Sequence, residues 1–241
     1  MMNAEEKSLM KSQESDWKCN FTIPLLTLLF VSVAGSVLVG LRMLWTRDTN
    51  YGFLLWNLFL AWMPLLFAMA VSRRYRKGER IGWSLYSLAA LWLLFFPNAP
   101  YIFTDLIHLT TWFKNRYWID MSLILLFAFT GFLLGFMSLY LMQRVVADRF
   151  GKFASWLFIM VSTGLGGFGI YLGRVRRWNS WDVVVDPLGI VRDVAHWFTH
   201  PMANKTWIGF TALFATFLFL GYLMLYALTH LQPALQREAT D

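Results

Sequence analysis

Six windows of the chain, 19–41, 49–72, 81–104, 121–143, 153–173 and 206–236, each run for more than twenty residues without Asp, Glu, Lys or Arg. A hydrocarbon core ~30 Å thick is crossed by about 20 apolar residues at 1.5 Å rise each, so every window is long enough to span as a helix. The pattern predicts an all-α fold: a polytopic transmembrane helical bundle of about six spans, with short interfacial helices in two of the loops between them. The first twenty residues are polar and of mixed charge, and the run behind them exceeds a signal-peptide core in length, so 21–41 is expected to be a retained span. The expected organisation is a polar tail over 1–20, one integral membrane domain over 21–231 and a second tail over 232–241.

The segment 73–80 reads RRYRKGER, with five basic residues in eight, and should face the cytoplasm. Six spans then place both termini on that side, with twelve Lys/Arg in the inner segments and nine in the outer ones. Trp45, Trp112, Trp118, Trp178, Trp181, Trp197 and Trp207 fall near the opposite interface, where amphipathic indoles are favoured. In the third window Pro97 and Pro100 interrupt the helix shortly before Asp105, and irregular backbone at that depth must be covered by protein or line a wet cavity. Residues 101–113 can resume as an amphipathic helix with Thr104, Asp105, His108 and Thr111 on one face. In the segment 174–205, Asp186 is placed to cap a helix that begins at Pro187 and carries Asp193, His196 and His200 on one side.

Composition agrees with a membrane chain: 58% of residues are hydrophobic, 15% are charged and the formal net charge is +7. The basic residues lie between spans and are suited to lipid headgroups, so nucleic acid is not an expected partner. Cys19 stands alone, which excludes an intrachain disulfide and a cysteine-based zinc cluster. No acidic or basic residue falls inside a window, against the ionisable groups that a proton relay or ion-coupled pump needs. Asn57 and Pro64 are the polar and kink positions of the second span.

Three constellations carry candidate chemistry. Asp105 with His108, and Asp193 with His196 and His200, have the three- and four-residue spacings that put ligands on one helical face. Asp105, His108, His196 and His200 could together hold a divalent transition metal able to activate water, against the plainer reading of a helix cap, an ion pair and ordinary interface histidines. Arg174, Arg176 and Arg177 run into Asn179, Ser180 and Asp182. Guanidinium groups bind phosphate and carboxylate bidentately, whereas the plainer reading is cations complementing a helix C-terminus. Gly164, Gly166 and Gly169 match a dinucleotide fingerprint but lie inside an apolar span without the flanking strand. Such glycines, with the GxxxG pairs Gly131/Gly135 and Gly169/Gly173, suit close helix packing, within the chain or against another subunit.

The blocks FFPNAPYIFTDLIHL (95–109) and YLGRVRRWNSWD (171–182) resemble the signature segments of an uncharacterised bacterial family of multi-pass membrane proteins, classed as a domain of unknown function. The resemblance extends from about the first span to the last and implies a bacterial cytoplasmic-membrane location. It draws attention to Asn98, Tyr101, Thr104, Asp105, Arg174, Asn179, Ser180 and Asp182, and it implies no activity. The leading functional expectation is an outward-facing polar pocket for an anionic small molecule or lipid headgroup. Arg174 and Arg177 would hold the anion, Asn98, Thr104 and Asn179 would supply hydrogen bonds, and Asp105 and Asp182 would orient them. A metal-dependent hydrolase or transferase at the membrane surface, and a non-catalytic scaffold subunit, are the alternatives.

Overall fold

A computed structural model describes residues 4–47, 49–78, 82–107, 117–199 and 205–238, and among these there is no strand. The chain divides into two compact units, Met1–Gly52 and Phe53–Asp241. The first is one long helix, α1 (Ala4–Thr46), whose segment Phe21–Thr46 is long and apolar enough to cross a membrane. Hydroxyls inside it bond back to the preceding turn, as Thr27 does to the Ile23 carbonyl at 2.9 Å and Ser36 to that of Ser32 at 2.7 Å. Side chains that satisfy themselves in this way can enter lipid without an orphaned donor.

The second unit contains α2 (Gly52–Arg76), α3 (Trp83–Phe95), the single-turn α4 (Asn98–Tyr101) and a 3-10 helix over Ile102–Ile107. It continues with α5 (Tyr117–Val175), the short α6 (Asp182–Val185), α7 (Pro187–Thr199) and α8 (Lys205–Glu238). Among the described residues of both units, five helical stretches are long and apolar enough to span a bilayer. One of them, α5, has 59 residues. A straight helix of that length would reach about 88 Å, roughly three bilayer cores. Instead Gly151 adopts φ 87°, ψ 170° and breaks it into arms 117–150 and 152–175, each containing one of the charge-free windows. That backbone region is essentially open to glycine alone.

The arms double back on α3 and the residues that follow it. Trp92 donates its indole N–H to Ser138 of the first arm at 3.1 Å and stacks on Phe158 of the second, with ring centroids 5.5 Å apart. Phe96 approaches both Gly135 and Gly166. Helix α8 then closes on the hairpin: Gly167 lies against the backbone of Thr211 and Ala215, Gly221 against Phe132 and Phe136, and Tyr222 donates to the Gln143 side chain at 2.5 Å. Phe103 fills the space between, edge-on to Phe129, Phe132 and Phe217 with centroids 5.2–5.7 Å away. Such tilted aromatic contacts are the favoured geometry of quadrupolar rings.

The two GxxxG pairs expected to pack closely do so on one short segment. A Cβ at Gly131 would stand 2.5 Å from the Ala99 carbonyl oxygen, and one at Gly135 3.0 Å from the Ala99 Cβ. From the other arm, a Cβ at Gly169 would lie 2.4 Å from Pro97 Cγ, and one at Gly173 3.1 Å from the Tyr101 ring. The proline break is thus buried between two glycine-lined faces, with Phe96, Ala99 and Ile102 fully buried.

This packing generates a contrast between glycines. Gly131→Val and Gly169→Val should each destabilise the folded protein by about 1–3 kcal/mol, because the added atoms meet backbone or a rigid proline ring. Gly164→Ala and Gly209→Ala, where a Cβ meets nothing within 4 Å, should be neutral or stabilising by up to about 1 kcal/mol. Thermal unfolding of the four variants in one detergent compares them, and equal melting temperatures would refute the clamp.

Candidate functional site

Helix α3 ends because Pro97 and Pro100 bring no N–H to the ladder. Both stay close to helical backbone, with φ −61°, ψ −25° at Pro97, so the chain tightens rather than unravels. The Ala99 N–H shifts to the Phe96 carbonyl at 3.3 Å, and two carbonyls one turn back need other donors. Asn98 supplies its Nδ2 to the Phe95 carbonyl at 3.1 Å, and Ser180 its hydroxyl to the Leu94 carbonyl at 3.3 Å. Asn98 also donates to Ser180 Oγ at 2.8 Å, which joins the proline break to the segment that leaves α5. Side chains substitute here for the backbone donors that no longer reach these carbonyls where the helix is interrupted, as burial in a membrane requires.

Over 102–107 the chain is a 3-10 helix rather than the α-helix anticipated from periodicity over 101–113, of which 108–113 lie outside the described residues, and Thr104 turns its hydroxyl onto the Tyr101 carbonyl at 2.6 Å. The tighter winding sends Asp105 inward, where it is 1% exposed. Arg174, at the end of α5, donates Nη2 to Asp105 Oδ1 at 2.8 Å, while Asn57 of α2 donates Nδ2 to Oδ2 at 2.7 Å. The guanidinium carbon sits 5.1 Å above the centre of the Tyr101 ring, within cation–π range. Among the described residues Arg174 Nε is buried without a hydrogen-bond partner. Two separate helices, α2 and α5, therefore converge on one carboxylate of the 3-10 helix.

Beyond Arg174 the chain turns sharply. Arg177 has φ 61°, a left-handed conformation that L residues other than Asn and Asp rarely adopt, and Trp178 N–H returns to the Leu172 carbonyl at 3.1 Å. Asp182 receives the Asn179 backbone N–H at 2.6 Å and its amide at 3.3 Å, closing the next turn. Asp186 accepts the Gly189 N–H at 2.9 Å and so caps α7, which begins at Pro187 as the sequence predicts. A Cβ at position 189 would stand 2.2 Å from Asp186 Oδ2, so glycine there leaves room for the cap.

Asp193 on α7 does not pair with its neighbour Arg192. It accepts Arg176 Nη2 at 2.8 Å and the Trp178 indole N–H at 3.1 Å, tying α7 back to the end of α5. The Arg176 hydrogen bond holds the Asp193 carboxyl below its ordinary value of 3.8 against the opposing effect of burial, with the Trp178 bond and the charges of Arg176 and His196 adding to it.

Of the residues expected to form a site, Asn98 meets Ser180 and Asp105 meets Arg174 across long stretches of sequence, whereas Asn179 and Asp182 bond within one turn. Thr104 bonds to the backbone of its own turn, and Arg177 is exposed. Of the residues expected to hold a metal, Asp105 accepts nitrogen donors at both oxygens and His196 is exposed, while His108 and His200 lie outside the described residues. Among the described residues no group of three or more His, Cys, Asp or Glu is placed to hold a metal. Asn57 and the Trp178 indole were not expected in the network. A lone amide in an apolar span marks Asn57 as significant, but its partner 48 residues on is visible only in three dimensions.

Two outcomes follow from this geometry. Asp105→Asn should cost about 3–5 kcal/mol of stability, because it strands the Arg174 charge, while Asp105→Asn combined with Arg174→Gln should lose less than the sum of the single changes. Denaturation in mixed micelles, run as a double-mutant cycle, checks the coupling. For Asp193, whose folded pKa is depressed, the stabilising contact is complete above pH 3.8 and is lost as pH falls through the folded value. Hydrogen exchange over 187–199 should accelerate in that acid range in the wild type, and Asp193→Asn should exchange at the fast rate at every pH.

Residues 56–237 match the family described as "Protein of unknown function (DUF1361)". No curated protein matches, and no solved structure does. The matched span holds both prolines of the break, Asp105 with its two donors and the whole turn from Arg174 to Asp182. With that match covering most of its length and with five span-length apolar helices among the described residues, the chain is an integral membrane protein belonging to the DUF1361 family.

Proposed function

We propose that the Arg174–Asp105 network is an anion-binding site at the extracytoplasmic face of a bacterial cytoplasmic membrane, receiving a small anion or a lipid headgroup. The surplus of Lys and Arg in the segment 73–80 supports the orientation, with both termini cytoplasmic. The observation that carries the reading is the Arg174 guanidinium: oriented by Asp105 and Tyr101, yet with Nε buried and no acceptor among the described residues. A buried N–H without a partner costs about 1–3 kcal/mol, and native structures keep few of them without a water or ligand to account for it.

The roles then divide. Asp105, Asn57 and Tyr101 fix Arg174, an anion oxygen accepts from it, and Arg177 supplies the second positive charge. Asn98, Ser180, Asn179 and Asp182 hold the turn that presents both arginines. Arg177 supports this assignment because a non-glycine residue at φ 61° accepts backbone strain of about 1 kcal/mol or more that glycine would avoid. Strain of that kind is retained where the side chain has a task.

Glycerol phosphate titrated into purified protein should raise the unfolding free energy, by about 2.7 kcal/mol at a concentration about 100 times Kd. Arg174→Lys, which keeps the charge but removes the planar fork, and Arg177→Gly, which relieves the backbone, should both abolish that rise. Arg177→Gly should also leave the ligand-free protein as stable as the wild type or more so. If folded samples of both variants respond to glycerol phosphate as the wild type does, the site lies elsewhere.

A further inference from the structure

The polar network is bordered on one side by aromatic surface that the packing of the chain does not use. Trp56 immediately precedes Asn57, the donor to Asp105, and is 52% exposed. Its ring lies 5.6 Å from that of Phe59, 51% exposed, and meets edge-on that of Trp181, 40% exposed, with centroids 6.1 Å apart. Trp181 in turn follows Ser180, the residue bonded to Asn98 across the proline break. Helix α2 and the turn after α5 thus contribute one apolar patch, joined in sequence to Asn57 and Ser180 of the polar network.

Resting on the anion-binding reading, we propose that the ligand is a phospholipid: its phosphate is held by Arg174 and Arg177, and its acyl chains lie along Trp56, Phe59 and Trp181. Charge complementarity selects the phosphate end. The patch selects the other end, because rings exposed in the first turns of a membrane-spanning helix face the region where headgroup gives way to hydrocarbon. A free phosphate would use the arginines alone. An amphiphile uses the arginines and the patch.

Three probes separate these parts when full-length protein in nonionic detergent is examined by native mass spectrometry. They are phosphatidylglycerol, the same headgroup without chains as glycerophosphoglycerol, and diacylglycerol with chains but no phosphate. Phosphatidylglycerol should bind at least about tenfold more tightly than either fragment, the difference that about 1.4 kcal/mol of added contact provides. Trp56→Leu and Trp181→Leu together should reduce its affinity to that of glycerophosphoglycerol, leaving the affinity for the latter unchanged. Arg177→Gly should weaken both phosphate-bearing probes and leave diacylglycerol alone. Equal affinity for phosphatidylglycerol and glycerophosphoglycerol, with sensitivity to Arg177→Gly retained, overturns the acyl-chain assignment while the anion site stands. Binding of phosphatidylglycerol no tighter than diacylglycerol, unaffected by Arg177→Gly, overturns the anion site itself. Trp56→Phe with Trp181→Phe preserves the packing and should keep most of the preference, so loss caused by misfolding is told apart from loss of the patch.

Discussion

Close approach between glycine faces and a proline turn is the constraint on which the second unit of this protein rests. Lipid tails are as apolar as leucine, so helices in a bilayer gain little by hiding hydrophobic side chains from it and associate instead through tight packing and hydrogen bonds. Gly131 and Gly135 on one arm of α5, and Gly169 and Gly173 on the other, let Pro97, Ala99 and Tyr101 come within contact of helix backbone. The proline break could not be placed at that depth without such cover. Its freed carbonyls are then met by Asn98 and Ser180.

The clamp has a chemical consequence. Because Tyr101 is pressed against Gly173, the next residues wind in a 3-10 helix at the end of α5, and Asp105 meets Arg174 one residue after that glycine. Packing and electrostatics are therefore coupled along a few residues of each element. The same turn of α5 that supplies the small residue supplies the cation. Asn57 completes the shell from α2, so the carboxylate is enclosed by donors from separate helices and has little freedom to reorient. A guanidinium held on one edge by a carboxylate and on one face by an aromatic ring is pre-organised, which lowers the entropic cost of receiving a further acceptor.

A second, weaker tether lies further along. Asp193 binds Arg176 and Trp178 with its carboxylate partly in solvent, in contrast to the nearly full burial of Asp105. Surface pairs of that kind contribute about 0–1 kcal/mol, so α7 is held to the end of α5 far less firmly than the proline turn is held inside it. The stable and the yielding contacts are thus both charge pairs, and burial separates them.

What the sequence determined by itself is the class of the molecule and the places where its regularity fails. Charge-free windows of span length dictate membrane helices, glycine spacing marks the close-packed faces, and the prolines at 97 and 100 mark the break, because each of these effects is local to the chain. The cap at Asp186 and the start of α7 at Pro187 are legible for the same reason. The partnerships were decided only by the tertiary structure. Asp105 with Arg174, Asn57 with Asp105, Asn98 with Ser180 and Asp193 with Arg176 join residues 17 to 82 positions apart, and a carboxylate near an arginine in sequence, such as Asp193 beside Arg192, proved to choose another. Periodicity also suggested an α-helix where a 3-10 turn forms, since the winding there answers to the glycine clamp rather than to intrinsic propensity. Residue type tells which groups need a partner; only the folded backbone, by fixing distance and burial, selects which partner each one has.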